Sequence, residues 1–177
     1  MARRISLREF QQSVVERLRD LSSRKTFASK LGFLVGNERW LVNLADVSEV
    51  LPVPLFIPVP QTRDWFRGIA NVRGKLYAVA DFSAFQQGES IATGSERRVL
   101  LIQDRLIEAS GLLVSRMLGL RNPDNFEHIS GMDERRPWIA ARYRDAAGDT
   151  WLELDVGALG RDPGYLNVGQ TANLLAA

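Results

Sequence analysis

The sequence predicts a mainly β chain organised as small barrels, on three observations. Short apolar and β-branched runs recur along the chain, separated by turns containing Gly, Pro and Asn, the spacing of barrel strands and not of long helices. The stretch Phe66–Phe82 reads as a β-hairpin closed by a Gly-containing turn and ended by an Asp. Leu76–Phe85 is echoed by Thr150–Leu159, each being a strand followed by Asp, an apolar residue, a small residue, Ala and an apolar residue. Two similar β halves, each closed by an Asp-capped turn, account for the echo. A chance match between two short motifs is the competing account.

From the first residue, Ser6 to Arg24 reads as a helix. Ser6 with Glu9 is a capping-box pattern, and Leu7, Phe10, Val14, Leu18 and Leu21 form one apolar stripe. Such a stripe packs on its own domain or docks on a partner. Residues 1–30 are read as this helix and its linker.

Leu31–Val35 and Trp40–Leu44 are strands joined through Gly36-Asn37. Ala45 to Val47 is a single turn, and Ser48–Leu51 a short strand. Pro52, Pro54, Pro58 and Pro60 interrupt any regular ladder, so 52–60 is an extended edge. Thr62–Phe66 is one helical turn capped by Thr62.

In the hairpin, Gly68 permits a sharp entry, Ile69–Val72 is the first strand and Leu76–Ala80 the second. Gly74 takes the positive φ of the reversal, and Asp81 caps a short helix through Phe85. Alternation places Asn71 and Arg73 on one face at the tip.

Gln86–Glu96 is a polar loop and the expected boundary between the halves. Arg97–Gln103, Gly111–Ser115 and Met117–Leu120 are strands, and Asn122 to Asp124 turns the chain. Phe126–Gly131 has no clear pattern. Trp138–Arg144 and Thr150–Asp155 form a hairpin, Asp155–Leu159 a short helix, and the remainder a tail.

Composition is that of an ordinary globular domain, 45% hydrophobic and 25% charged. A net charge of +2 gives little non-specific pull on nucleic acid or membrane. Cys is absent, which removes disulfides, Cys-zinc sites and thiol nucleophiles. No secretory signal and no apolar run of membrane-spanning length is visible, so a cytoplasmic protein is expected.

Catalytic motifs are missing. The single His, His128, has Asp124 and Glu127 nearby but no nucleophile in an identifiable setting. Asp46 and Glu49, three positions apart, have no partner acid. Phosphate-loop and dinucleotide fingerprints are absent. The expectation is no enzyme, no metal and no cofactor.

The string Gly68-Ile69-Ala70-Asn71-Val72-Arg73-Gly74, followed by a strand ending in Asp81-Phe82, resembles the signature of the CheW-like adaptor family. The resemblance covers roughly residues 31–166. It implies two SH3-like five-stranded β-barrel subdomains and no enzymatic activity. It also implies two partners, a chemoreceptor cytoplasmic tip and the regulatory domain of a CheA-like histidine kinase, and recruitment to membrane-associated receptor arrays. Carried over by motif, Asn71 and Arg73 with Val47, Glu49 and Val50 are the receptor- or kinase-binding residues, and Gly68, Gly74 and Asp81 are structural.

Ala78-Val79-Ala80-Asp81-Phe82 stands where the family commonly has Pro-Val-Ile-Asp-Leu, and a helix precedes the barrels. Both departures favour a type IV pilus (twitching motility) adaptor over a flagellar one. The reading from another class is a small barrel that binds single-stranded nucleic acid; its aromatics are not interleaved with a basic run, and no nucleic-acid partner and no membrane insertion are expected.

Overall fold

The computed structural model describes residues 29–131 and 135–170. The strands are β1 Lys30–Val35, β2 Glu38–Asn43, β3 Val47–Pro52, β4 Phe56–Ile57, β5 Phe66–Val72, β6 Lys75–Asp81, β7 Arg98–Ile102, β8 Ser110–Val114, β9 Arg116–Arg121, β10 Phe126–His128, β11 Ile139–Asp145 and β12 Thr150–Leu154. Three four-residue helices, α1 Phe82–Phe85, α2 Val156–Leu159 and α3 Pro163–Leu166, complete it with two 3-10 turns. The expected N-terminal helix over 6–24 lies outside the described residues.

The strands form two six-stranded sheets, ordered β10-β11-β12-β2-β1-β9 and β3-β7-β8-β6-β5-β4. This corrects the expectation of two five-stranded barrels, because no ladder joins the edge strands of either sheet. The sheets are nevertheless curled. Residues 53–55 alone connect the two edges of the second sheet, a reach of about 13 Å at most. Residues 122–125 connect the edges of the first.

The pairing reveals an exchange. β6 runs parallel to β8, and β12 parallel to β2. Matching these ladders maps β1–β6 onto β7–β12, strand for strand. Each repeat places its last four strands in one sheet and its opening hairpin in the other. The loop after α1 therefore separates the repeats but not the sheets, since β6 and β7 on either side of it share a sheet.

Asp81 and Asp155 stand at equivalent points of the two repeats. Asp81 is fully buried and accepts from the Ser83, Ala84 and Ile91 amides at 3.1, 3.2 and 2.9 Å. It thus caps α1 and anchors the following loop. Asp155 caps α2 by accepting from the Ala158 amide at 2.8 Å.

The main core lies between the sheets and takes Phe33, Trp40 and Leu154 from one and Leu100, Ile102 and Leu112 from the other. Phe33, Trp40, Phe82, Phe85 and Trp138 form a chain of ring contacts, with Trp65 and Tyr165 packed on Phe85. The second sheet buries its other face too, where Ala70, Val79, Ile91, Val99, Leu101 and Leu113 cluster.

The first sheet fills the corresponding space differently. By register, Lys30 stands where Val99 stands, and Glu153 where Val79 stands. Lys30 Nζ donates to Glu153, both residues being buried. The Tyr143 hydroxyl donates to the second Glu153 oxygen at 2.8 Å. An ion pair therefore occupies in one sheet the place of two valines in the other, and the phenol that of Ala70.

One local expectation is corrected, and two segments that showed no clear pattern take form. Thr62–Phe66 is not a helical turn. Thr62 bridges Gly169, and its hydroxyl donates to the Val59 carbonyl at 2.8 Å. Residues 126–128 are a strand, paired with β11. The described part of the tail is ordered, with α3 capped by Asp162 and the Val168 carbonyl accepting from the Arg63 amide at 2.8 Å.

Two predictions follow from the buried polar groups. Glu153→Gln leaves Lys30 buried without a counter-charge and costs about 3 kcal/mol, whereas Lys30→Val with Glu153→Val restores the apolar arrangement of the other sheet and is close to neutral; urea unfolding of the three proteins checks this. Burial, aided by the bond to Glu153, pushes Tyr143 up to about 12, and burial pushes Tyr165 up to about 12. The fold favours the neutral phenols, so their stabilisation is complete below pH 10 and is lost as pH rises towards 12. An alkaline titration followed by phenolate absorbance and circular dichroism should show both phenolates forming together with unfolding. Their release near pH 10 in an intact fold would contradict it.

Candidate functional site

The β5–β6 hairpin turns through two residues, Arg73 and Gly74, with φ of +53° and +89°. Two successive positive φ values make a type I′ turn, whose twist matches that of the strands it joins. The Asn71 side-chain oxygen accepts from the Gly74 amide at 2.8 Å and so holds the turn closed. Gly74 meets that need by conformation alone, since a Cβ there would touch nothing.

Gly68 answers a different need. It lies where the β5–β6 register shifts, at φ +115°, and a Cβ would fall 2.2 Å from the Ile57 carbonyl oxygen. Strand β4 can approach β5 only because no side chain stands there.

Arg73 projects from the tip with its side chain 77% exposed. Its two terminal nitrogens donate to the two oxygens of Glu49 at 2.8 and 2.6 Å. Glu49 lies on β3, the far edge of the same sheet, and three strands separate β3 from β5 in the ladder. The contact is therefore made across the curl of the sheet. Two-pronged pairing of this kind fixes direction as well as distance.

The residues singled out by sequence thus divide. Arg73 and Glu49 meet, and Val50 is exposed beside Glu49. Asn71 is spent on the turn. Val47 is 7% exposed, with its side chain in the main core.

Sequence reasoning missed the charges flanking this pair. Lys75, next after the turn, pairs with Asp104, and Arg105 donates to Asp46 Oδ1 at 2.7 Å. The hydrogen bond between Lys75 and Asp104 raises the ammonium above its ordinary value and lowers the carboxyl below its own. The available signal was the adjacent acid and base, Asp104-Arg105, directly after the strand read over 97–103. Leu44 and Leu76, exposed leucines, stand close to these charges in the chain.

Elsewhere, a polar cleft of about 520 Å³ lies between the β1–β2 turn and the loop after α1. Its Arg136 donates to Glu38 and Gln86. His128 meets the Ser130 hydroxyl at 3.3 Å and the edge of Tyr143. Among the described residues, no three His, Asp or Glu side chains gather as metal ligands, and no helix is long and apolar enough to cross a membrane.

A family model described as the CheW-like domain matches residues 30–163. The chain is 29% identical over 144 residues to Protein PilI of Pseudomonas aeruginosa, covering 79% of each chain. It is 30% identical over 84 residues to Chemotaxis protein CheW of Rhizobium meliloti, covering 48% of this chain and 54% of that one. In fold it is similar to the crystal structure of the scaffolding protein TtCheW from Thermoanaerobacter tengcongensis, with a TM-score of 0.65, 16% identity, and coverage of 77% of this chain and 94% of that one.

The two glycines separate conformation from space, and substitution should show it. Gly74→Ala should cost about 1 kcal/mol, the backbone term alone. Gly68→Ala should cost more than about 2 kcal/mol, because β4 must also move. Thermal melting of the pair checks this, and equal losses would count against the close approach of Ile57.

Proposed function

The chain belongs to the CheW-like family, and from that premise we propose that it is a non-catalytic adaptor coupling a methyl-accepting chemoreceptor to a CheA-like histidine kinase. The observation that carries this reading is the Arg73–Glu49 pair. A two-residue turn holds out an Arg side chain that is largely exposed, on a tip bonded to the far edge of its own sheet. Such a group serves recognition better than stability, because exposed ion pairs contribute about 0–1 kcal/mol. Arg is suited to it, being planar, permanently charged and weakly hydrated.

Coupling in this sense needs no chemistry. An adaptor that binds one receptor state more tightly than another carries that difference to the kinase through a second contact. The longer of the two sequence matches is to Protein PilI, which supports control of type IV pili and twitching motility as the output over flagellar rotation. The adaptor would then work in the cytoplasm, beneath membrane-embedded receptors.

The test is a binding assay of the purified chain with a receptor cytoplasmic fragment and with the kinase regulatory domain from the same organism. Arg73→Glu is expected to leave the melting temperature within about 3 °C and to abolish receptor binding. Undiminished receptor binding by Arg73→Glu would overturn the assignment, and failure to bind either partner would overturn the function.

A further inference from the structure

Arg73 and Glu49 belong to one sheet, but no ladder pairs their strands directly. The loop between β7 and β8, residues 103–109, reaches both. Asp104 accepts from Lys75 Nζ and also from the Ala109 amide at 3.0 Å. Lys75 is the first residue of β6, directly after the Arg73–Gly74 turn. Arg105 reaches the opposite way, donating to the Ala45 carbonyl at 2.9 Å and to Asp46 Oδ1 at 2.7 Å. Those two residues form the turn that starts β3, three positions before Glu49.

The main chain of the loop follows the same division. The Gln103 amide donates to the Asp46 carbonyl at 3.0 Å, and the Ala109 carbonyl accepts from the Ala78 amide at 2.8 Å. Ala109 holds a φ of +47°, unusual for a residue with a Cβ. One loop is thus fastened at one end to the head of β3 and at the other to the hairpin.

We propose that Asp104 and Arg105 are positioning residues, which clip the β5–β6 tip to the head of β3 and so set the geometry in which Arg73 and Glu49 face the receptor. The proposal rests on the reading of Arg73 as the receptor contact. Each flanking pair is too exposed to contribute much to overall stability. Their contribution is to binding, because ordering the tip beforehand removes an entropy cost that the partner would otherwise meet. Opposite charges on neighbouring residues are what such a clip requires, since the two anchors carry opposite charges themselves.

The experiment measures affinity of the full chain for the receptor fragment, with melting temperature and the NMR order parameter of the Arg73 Nε–H. Asp104→Asn keeps an oxygen for the Ala109 amide and removes the charge facing Lys75; Arg105→Ala releases Asp46. Each is expected to weaken binding about three- to fivefold, to shift melting by less than about 3 °C and to lower the Arg73 order parameter. In an Arg73→Ala background neither should weaken binding further, because nothing remains to position. Unchanged affinity in both variants, with Arg73→Ala still damaging, would overturn the clip alone. The same loss with and without Arg73 would also overturn it, by showing direct contact. If Arg73→Ala itself binds normally, the receptor reading fails and the clip with it.

Discussion

Two parallel ladders hold this molecule together, β6 with β8 and β12 with β2. Each joins the last strand of one repeat to the opening hairpin of the other, so neither sheet is the property of one half of the chain. Parallel pairing is slightly weaker per residue than antiparallel pairing, and the fold strengthens both places in the same way. After β6 the buried Asp81 starts α1, and after β12 Asp155 starts α2. The short helices carry Phe82, Phe85, Val156 and Leu159 into the core between the sheets. The hydrophobic term and the capping bonds are thus concentrated where the backbone ladder is least favourable.

Equivalent halves create an ambiguity, because either hairpin has the shape to enter either sheet. Side chains resolve it. In its own place Lys30 meets Glu153; in the place of the other hairpin it would face Val79 and bury a charge without a partner, at a cost of several kcal/mol. Val99 would in turn leave Glu153 uncompensated. Polar complementarity thus selects a single assignment, a local consistency that separates one native arrangement from its near relatives.

What could be read from the sequence was local. The Arg-Gly turn, the strand ending in Asp81 and the parallel ending in Asp155 are signalled by residues a few positions apart, and alternation identified most strands. Partners were not legible. Lys30 and Glu153 are 123 positions apart, and no periodicity tells a strand which neighbour it will take. For the same reason Glu49 was singled out without its bond to Arg73, and Asp104 and Arg105 were passed over. Val47 was carried over from the family motif, and a motif match does not say that its side chain turns into the core. The segment 126–128 was missed because three residues are too few to show alternation, and Thr62 because a capping residue and a bridge residue look alike until the tail is placed beside it.

The exchange of hairpins bears on how such a chain is made. Synthesis delivers β1 and β2 first, yet their sheet is incomplete until β12 has emerged. Strand β6 likewise has no inner neighbour until β8 follows it. On the ribosome Phe33 and Trp40 must wait for β12, whereas the second sheet, with the cluster around Val79, can close once β8 has emerged. Contacts this distant in sequence make folding slow, and the waiting edges are the surfaces most open to wrong pairing. The interval between the first hairpin and the last strand therefore sets how long those edges stay open.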